Sequence, residues 1–152
     1  MSCKRICITA DCVCGLPDEM LKENHIDIVY FYIETDTGRF RDRNEITAQN
    51  IFDYLREGGK KSRTTAPAPD EFIEMFTRKL NDSDEVIHIA TGSRISESVN
   101  NSRKAVEQMG ELGKRVHVFD TGHLSTGIGH IVLKAAEMVR NGVDASGRIL
   151  EE

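Results

Sequence analysis

Small polar and acidic residues follow three of the chain's apolar runs: Asp11-Cys12, Thr91-Gly92-Ser93 with Ser96 close behind, and Asp120-Thr121. Each run reads as a strand, so each polar group lies at a strand's carboxyl end, where open α/β sheets bind ligands. Gly92 permits backbone conformations closed to other residues. The Thr91, Ser93 and Ser96 hydroxyls can donate, and so can the unpaired amides of a helix start behind them. That combination suits a small anionic group such as a carboxylate or phosphate. The same residues also read as a Ser-rich N-cap whose work ends with starting a helix. Thr64-Thr65 joins the set if its loop folds over the same edge.

Other chemistry has weaker support. Asp11 and Asp120 could pair for acid–base work, but as strand-end residues accepting from turn amides they would have depressed pKa values. His25, His88, His117, His123 and His130 are scattered; His88 and His117 fall within strands and read as structural, while His123 follows the Asp120 turn. Cys3, Cys7, Cys12 and Cys14 cluster near the start without the paired C-x-x-C spacing of zinc ribbons, so no metal is expected. Cys12 reads as the more reactive thiol because it sits where a site would be. No G-x-S-x-G, Walker loop or G-x-G-x-x-G is present. Lys60-Lys61-Ser62-Arg63 could attract an acidic partner or a lipid headgroup, and reads equally as a solvated loop.

The elements that must position these residues alternate. Strands are predicted over 3–10, 26–34, 85–90 and 116–119, and helices over 17–24, 47–57, 70–81, 96–110 and 125–140, with a further helix beginning at Val143. Residues 39–43 read as a polar connector and 64–69 as a proline-restricted loop. Ile51, Phe52 and Leu55 form the inward stripe of the second helix, and Phe72, Ile73, Phe76 and Leu80 that of the third. Short apolar strands alternating with helices predict an α/β fold, a parallel sheet with helices on both faces.

The totals agree with one such domain. The chain has 152 residues, 39% hydrophobic and 30% charged, enough for a real core. Its net charge of −5 excludes the basic footprint of a nucleic-acid binder. No apolar run is long enough to span a membrane, and Lys4 and Arg5 interrupt the start where a secretory signal would lie. The chain is expected in the cytoplasm.

Read together, several motifs resemble one family. Ile8-Thr-Ala-Asp11-Cys12 with Leu16-Pro17 is similar to the opening T-D-S-x-x-D-L-P of the DegV family. Thr64-Thr65-Ala66-Pro67, followed by Pro69, Glu71 and Phe72, resembles its T-S-x-P loop. Ser93-Arg-Ile-Ser96 resembles S-S-x-L-S-G-T-Y, and Asp120-Thr121 with Ser125-Thr-Gly127-Ile-Gly129 resembles D-S-x-x-x-S-x-G-x-G. The resemblance implies a three-layer α/β/α domain of the kind shared with dihydroxyacetone kinases and mannose transporter domains. It implies a non-enzymatic protein that needs no cofactor, holds a long-chain fatty acid in an apolar tunnel and presents it to a fatty acid kinase.

Carried over residue by residue, the carboxylate contacts fall to Thr64 or Thr65 and to Ser93, assisted by amides around Gly92 and Ser93. Ser96, Asp11, Cys12, Asp120 and Thr121 complete the ligand-binding set. Val13, Ile95, Leu124 and Ile128 are tunnel-wall candidates, each equally readable as core. The sequence departs from the pattern at Cys12, Gly92, Glu97 and Val99, and Glu97 sets a negative charge beside the carboxylate site. Family chains are about twice as long, with a second domain over the acyl chain. The 152 residues are therefore expected to be a fragment, or to take their cover from another chain such as a second copy. The contrasting readings are a phosphotransfer domain using His123 or Asp11, and an interaction domain that has lost its ligand.

Overall fold

Residues in β1 (Ile6–Asp11) alternate between two apolar destinations, and so do those in β6 (Glu85–Ala90). Ile8, Ala10, Ile87 and Ile89 point to one face, where they meet Leu21, Ile128, Val132 and Ala136. Val86 points to the other, into a second core with Phe72, Met75, Phe76 and Leu80. Period-two alternation with both faces apolar is what a strand needs when helices cover it on both sides.

The computed structural model describes residues 4–143. Between β1 and β6 run α1 (Asp18–Glu23), β2 (Asp27–Val29), β3 (Tyr32–Thr35), β4 (Gly38–Arg41), α2 (Ala48–Arg56), β5 (Ser62–Thr65) and α3 (Pro69–Leu80); α4 (Ser98–Gln108), β7 (Val116–Asp120) and α5 (Thr126–Arg140) follow. The main sheet is parallel in the order β2-β1-β6-β7. Residues of α1 and α5 join the first core, and those of α3 and α4 the second, giving three layers. The chain steps outward from β1 to β2, then returns to the other side of β1 for β6 and β7. The carboxyl ends of β1 and β6 thus form a topological switch point, where a crevice opens.

The expected single strand over 26–34 is two strands in two sheets. β2 has only β1 to pair with, and that pairing ends at Asp11↔Val29. Beyond it the Phe31 N–H donates to Cys12 Sγ (3.2 Å), and the chain leaves the sheet. β3 then centres a small antiparallel sheet, β4-β3-β5. Residues 39–41 of the expected connector belong to β4, and Thr64-Thr65 of the expected loop are the end of β5, with Thr65 opposite Tyr32 and Thr64 opposite Ile33. These strands are polar and exposed, so they carry no apolar alternation to reveal them.

A second departure is α2, whose expected inward stripe buries nothing fully: Phe52 is 62% and Leu55 43% exposed. Its start follows expectation, with the Thr47 hydroxyl accepting from Asn50 N–H and the Asn50 side chain reaching back to Thr47 N–H. Cys3 and the helix expected to continue through 144–152 lie outside the described residues.

Candidate functional site

At the switch point the carboxylate of Asp11 is fully buried and accepts four hydrogen bonds. Oδ2 takes Thr91 N–H and Thr91 Oγ1 (both 2.7 Å); Oδ1 takes Ser98 Oγ (2.9 Å) and His88 Nε2 (3.2 Å). Burial alone would raise this pKa, but the bonds from His88, Thr91 and Ser98 outweigh it and hold the carboxyl below its ordinary value. His88 Nδ1 lies 3.0 Å from Thr9 Oγ1, and its ring packs edge-on between Phe72 and Phe76. With Nε2–H donating to Asp11, Nδ1 accepts from the Thr9 hydroxyl, and every polar atom in the chain of contacts is satisfied. His88 is structural, as expected.

Asp120 holds the same loop from the opposite side. The Ser93 side chain, together with Gly122 N–H and Ser93 N–H (both 3.1 Å), lowers the Asp120 pKa. The Thr121 hydroxyl donates to Ala90 C=O (2.9 Å), and Gly92 N–H to His123 C=O (2.9 Å). Gly92 touches backbone directly: a Cβ there would fall 2.8 Å from Gly122 Cα. The glycine is needed for this approach of two loops.

Beside the loop lies an open cleft of about 720 Å³. Its apolar wall is Val13, Phe31, Ile95, Leu124 and Ala66; its polar wall is Thr64 and Thr65 from β5, with Thr91, Ser96, Glu97 and Asn101 from the loop after β6 and the start of α4, and Arg63 at the margin. Asn101 Nδ2 donates to Pro67 C=O (2.9 Å), tying the end of β5 to α4 across the cleft. Glu71 anchors the same segment by accepting Ala68 N–H (2.9 Å) and the Tyr32 hydroxyl. Arg63 pairs with Glu34 (2.6 Å). Ile95 and Leu124 are 53% and 50% exposed, large apolar side chains that solvent reaches along the mouth.

The sequence-predicted residues fall into two groups. Thr64, Thr65 and Ser96 line the cleft together with the wall candidates Val13, Ile95 and Leu124. Asp11, Gly92, Ser93, Asp120 and Thr121 stand behind the cleft, fixing the loop that forms its wall. The amides of Gly92 and Ser93, expected to meet a ligand, are instead bonded to His123 and Asp120. Ile128 is fully buried in the core and walls no cleft.

Cys12 corrects the expectation of a reactive thiol. It is 1% exposed, and burial pushes its pKa up to about 12 despite the Phe31 N–H. Asp11, with both oxygens occupied inside the protein, is no phosphate acceptor, and His123 lies outside the cleft wall. Sequence reasoning read Arg63 only within a basic cluster that could attract an acidic partner or a lipid headgroup; it missed Phe31, read as the middle of one continuous strand, and Asn101, inside α4. It also missed Arg43, which clamps the turn after β1 by donating to Cys12 C=O (3.0 Å), Leu16 C=O (2.7 Å) and Asp18 (2.6 Å). Among the described residues no cluster of His, Cys, Asp and Glu could hold a metal ion, and no helix is long and apolar enough to cross a membrane.

Comparison with known proteins places this geometry in a family. A DegV domain-containing protein of Caldanaerobacter subterraneus subsp. tengcongensis is 32% identical over 139 residues, which are 91% of this chain and 49% of that protein. A solved DegV family protein from Thermus thermophilus, described by its fatty acid binding, superposes with a TM-score of 0.86 at 28% identity, covering 93% of this chain and 49% of that one. DegV of Bacillus subtilis shares the fold, with a TM-score of 0.88 at 20% identity over 97% of this chain and 52% of its own. The chain thus spans about half the length of the relatives it matches. A family model described as "Uncharacterised protein, DegV family" matches residues 5–151, and on that match, with the shared fold, the chain belongs to the DegV family.

Proposed function

We propose that this chain is a non-catalytic carrier domain that binds a long-chain fatty acid or a similar amphiphile in the switch-point cleft. The observation that carries the reading is the cleft's polarity. Thr64, Thr65 and Ser96 lie at one part of its wall, and Val13, Phe31, Ile95 and Leu124 make an apolar surface continuous with them. Hydroxyls and an apolar trough suit a head and a hydrocarbon tail, and about 720 Å³ lies in the range of small-molecule sites. The tail supplies most of the affinity, at about 0.8 kcal/mol for each methylene removed from water. The Thermus relative, which binds fatty acid, supports the same ligand class here.

In this reading the head sits between Thr64-Thr65 and Ser96, with Ser93, Gly92, Asp11, Cys12, Asp120 and Thr121 shaping the rim from behind. The half-exposed Ile95 and Leu124 call for a cover, which a further domain or a second copy of the chain supplies. Delivery is to a fatty acid kinase in the cytoplasm.

Extraction of the purified chain followed by mass spectrometry tests the first step. Co-purified acyl chains, or saturable uptake of oleate by delipidated protein that weakens in a Thr64→Val, Ser96→Ala double variant, is the expected result. Delipidated protein that takes up no oleate, alone or mixed with a separately expressed covering domain from a full-length relative, overturns it.

A further inference from the structure

Most of the donors around the cleft are already spent inside the protein. The hydroxyl and amide of Thr91 go to Asp11, and the Asn101 side chain gives one of its two N–H groups to Pro67 C=O. Arg63 is given to Glu34, and the Thr65 hydroxyl, behind the larger effect of Arg63, also helps hold Glu34's carboxyl below its ordinary range. The hydroxyls left to donate into the cleft are those of Thr64 and Ser96; Ser96 Oγ accepts Ser98 N–H (3.2 Å) and keeps its own proton to give. Beside Ser96 stands the carboxylate of Glu97, an exposed acceptor bonded by Asn100 Nδ2 (3.0 Å).

From this inventory we infer that Glu97 is the specificity-determining residue of the cleft: it disfavours an anionic head and favours one that donates a hydrogen bond. The inference rests on the cleft being an amphiphile site. A fully ionised carboxylate placed at Ser96 accepts from two hydroxyls but meets a like charge one residue away. A hydroxyl head, or a carboxyl that keeps its proton, accepts from Ser96 and donates to Glu97, using both. Arg63, the cation on the facing strand, is directed to Glu34, which it shares with Arg39 (3.6 Å), and among the described residues no cation pairs with Glu97. The cleft therefore takes single-chain amphiphiles with neutral, donor-bearing heads at least as readily as fatty acid anions.

Oleate and oleyl alcohol share a tail and differ at the head, so the pair isolates the effect. Each is titrated into the delipidated 152-residue chain by displacement of an apolar dye, for wild type and Glu97→Gln, at low and high salt. The amide keeps the acceptor for Asn100 and removes the charge. Wild type is expected to hold oleyl alcohol as tightly as oleate or more so. Glu97→Gln should gain about three- to tenfold for oleate at low salt, a gain that shrinks at high salt, with none for the alcohol. Glu97→Lys should extend the oleate gain. An unchanged oleate affinity in both variants, or an equal gain for both ligands, overturns the inference while leaving the cleft as the binding site. A wild-type chain that takes up neither ligand overturns the reading of the cleft and this inference with it.

Discussion

Removing the charge from Asp11 tests the organisation of the switch point most directly. Four donors converge on this carboxylate: the Thr91 amide and hydroxyl, the Ser98 hydroxyl and His88 Nε2. Bonds to a charged group contribute roughly 1.5–3 kcal/mol each, against roughly 0.5–1.5 for neutral pairs. In Asp11→Asn the remaining oxygen keeps both Thr91 bonds in neutral form. The new NH₂ faces Ser98, whose hydroxyl rotates to accept, and His88, whose ring exchanges tautomers with help from Thr9. Weakening four bonds by about 1 kcal/mol each is partly offset by relief of the charge's desolvation, which leaves a loss of about 2–3 kcal/mol. Asp11→Ala leaves the donors without an acceptor and costs about 4–5 kcal/mol.

The pH dependence has a definite sign. Because folding holds the Asp11 carboxyl below its ordinary value, its stabilisation is complete above the unfolded pKa, about 3.9, and disappears as pH falls through the folded one. The gap between wild type and Asp11→Asn should therefore close on acidification from pH 5 toward 3. Urea unfolding at a series of pH values measures it. An Asp11→Ala protein within about 1 kcal/mol of wild type at pH 7 would refute the reasoning, as would a gap that widens in acid.

Further outcomes follow from the same geometry. In native protein at pH 8, Cys7, which is half-buried, should be alkylated before Cys12, whose pKa stands near 12, and urea should erase the difference; equal native rates contradict the burial of Cys12. Gly92→Ala should lose about 1–3 kcal/mol, because its Cβ would meet Gly122 backbone at 2.7 Å; an unchanged unfolding midpoint contradicts that contact. Ile128→Ala should lose about 2–5 kcal/mol, while Leu124→Ser leaves stability near wild type and weakens dye or oleate uptake; the reverse pattern contradicts the division of these two residues between core and cleft.

The centre of the main sheet was legible because its two middle strands are packed on both faces and write themselves as apolar runs, Ile6 to Ala10 and Val86 to Ala90; Val116 to Phe119, at the edge and mostly half-buried, still carries a short apolar run. Their polar ends were legible for the same reason, since a run that stops at Asp11, Thr91 or Asp120 marks a strand's carboxyl edge. What the runs do not encode is the direction of each side chain at that edge. Thr91 and Ser93 look like ligand donors, yet both amides turn inward to aspartates. The small sheet escaped notice because Arg39, Arg41, Arg63 and Thr64 are exposed and nothing apolar alternates along them. Cys12 misled for a related reason: position at a strand end was read as access, whereas the turn of the chain at Phe31 buries the thiol.

Asp11 and Asp120 end the two strands on either side of β6 and both turn their carboxylates to the loop leaving it. The loop's shape thus consumes the donors that a strand-end turn would otherwise offer, and a ligand head finds little beyond Thr64 and Ser96. Two hydroxyl bonds contribute roughly 3–6 kcal/mol together to a carboxylate and roughly 1–3 to an alcohol oxygen, a difference that repulsion from Glu97 reduces. Four methylenes removed from water contribute about 3 kcal/mol. Tail length should therefore dominate the head in setting affinity: shortening palmitate to laurate should weaken binding by up to about a hundredfold, more than exchanging the acid for the alcohol at constant length. Paired titrations of the C16 and C12 acids and the C16 alcohol measure both effects on one scale. A head exchange that outweighs the loss of four methylenes would mean that donors other than these two hydroxyls face the ligand, and that the loop fixed by the two aspartates opens when it binds.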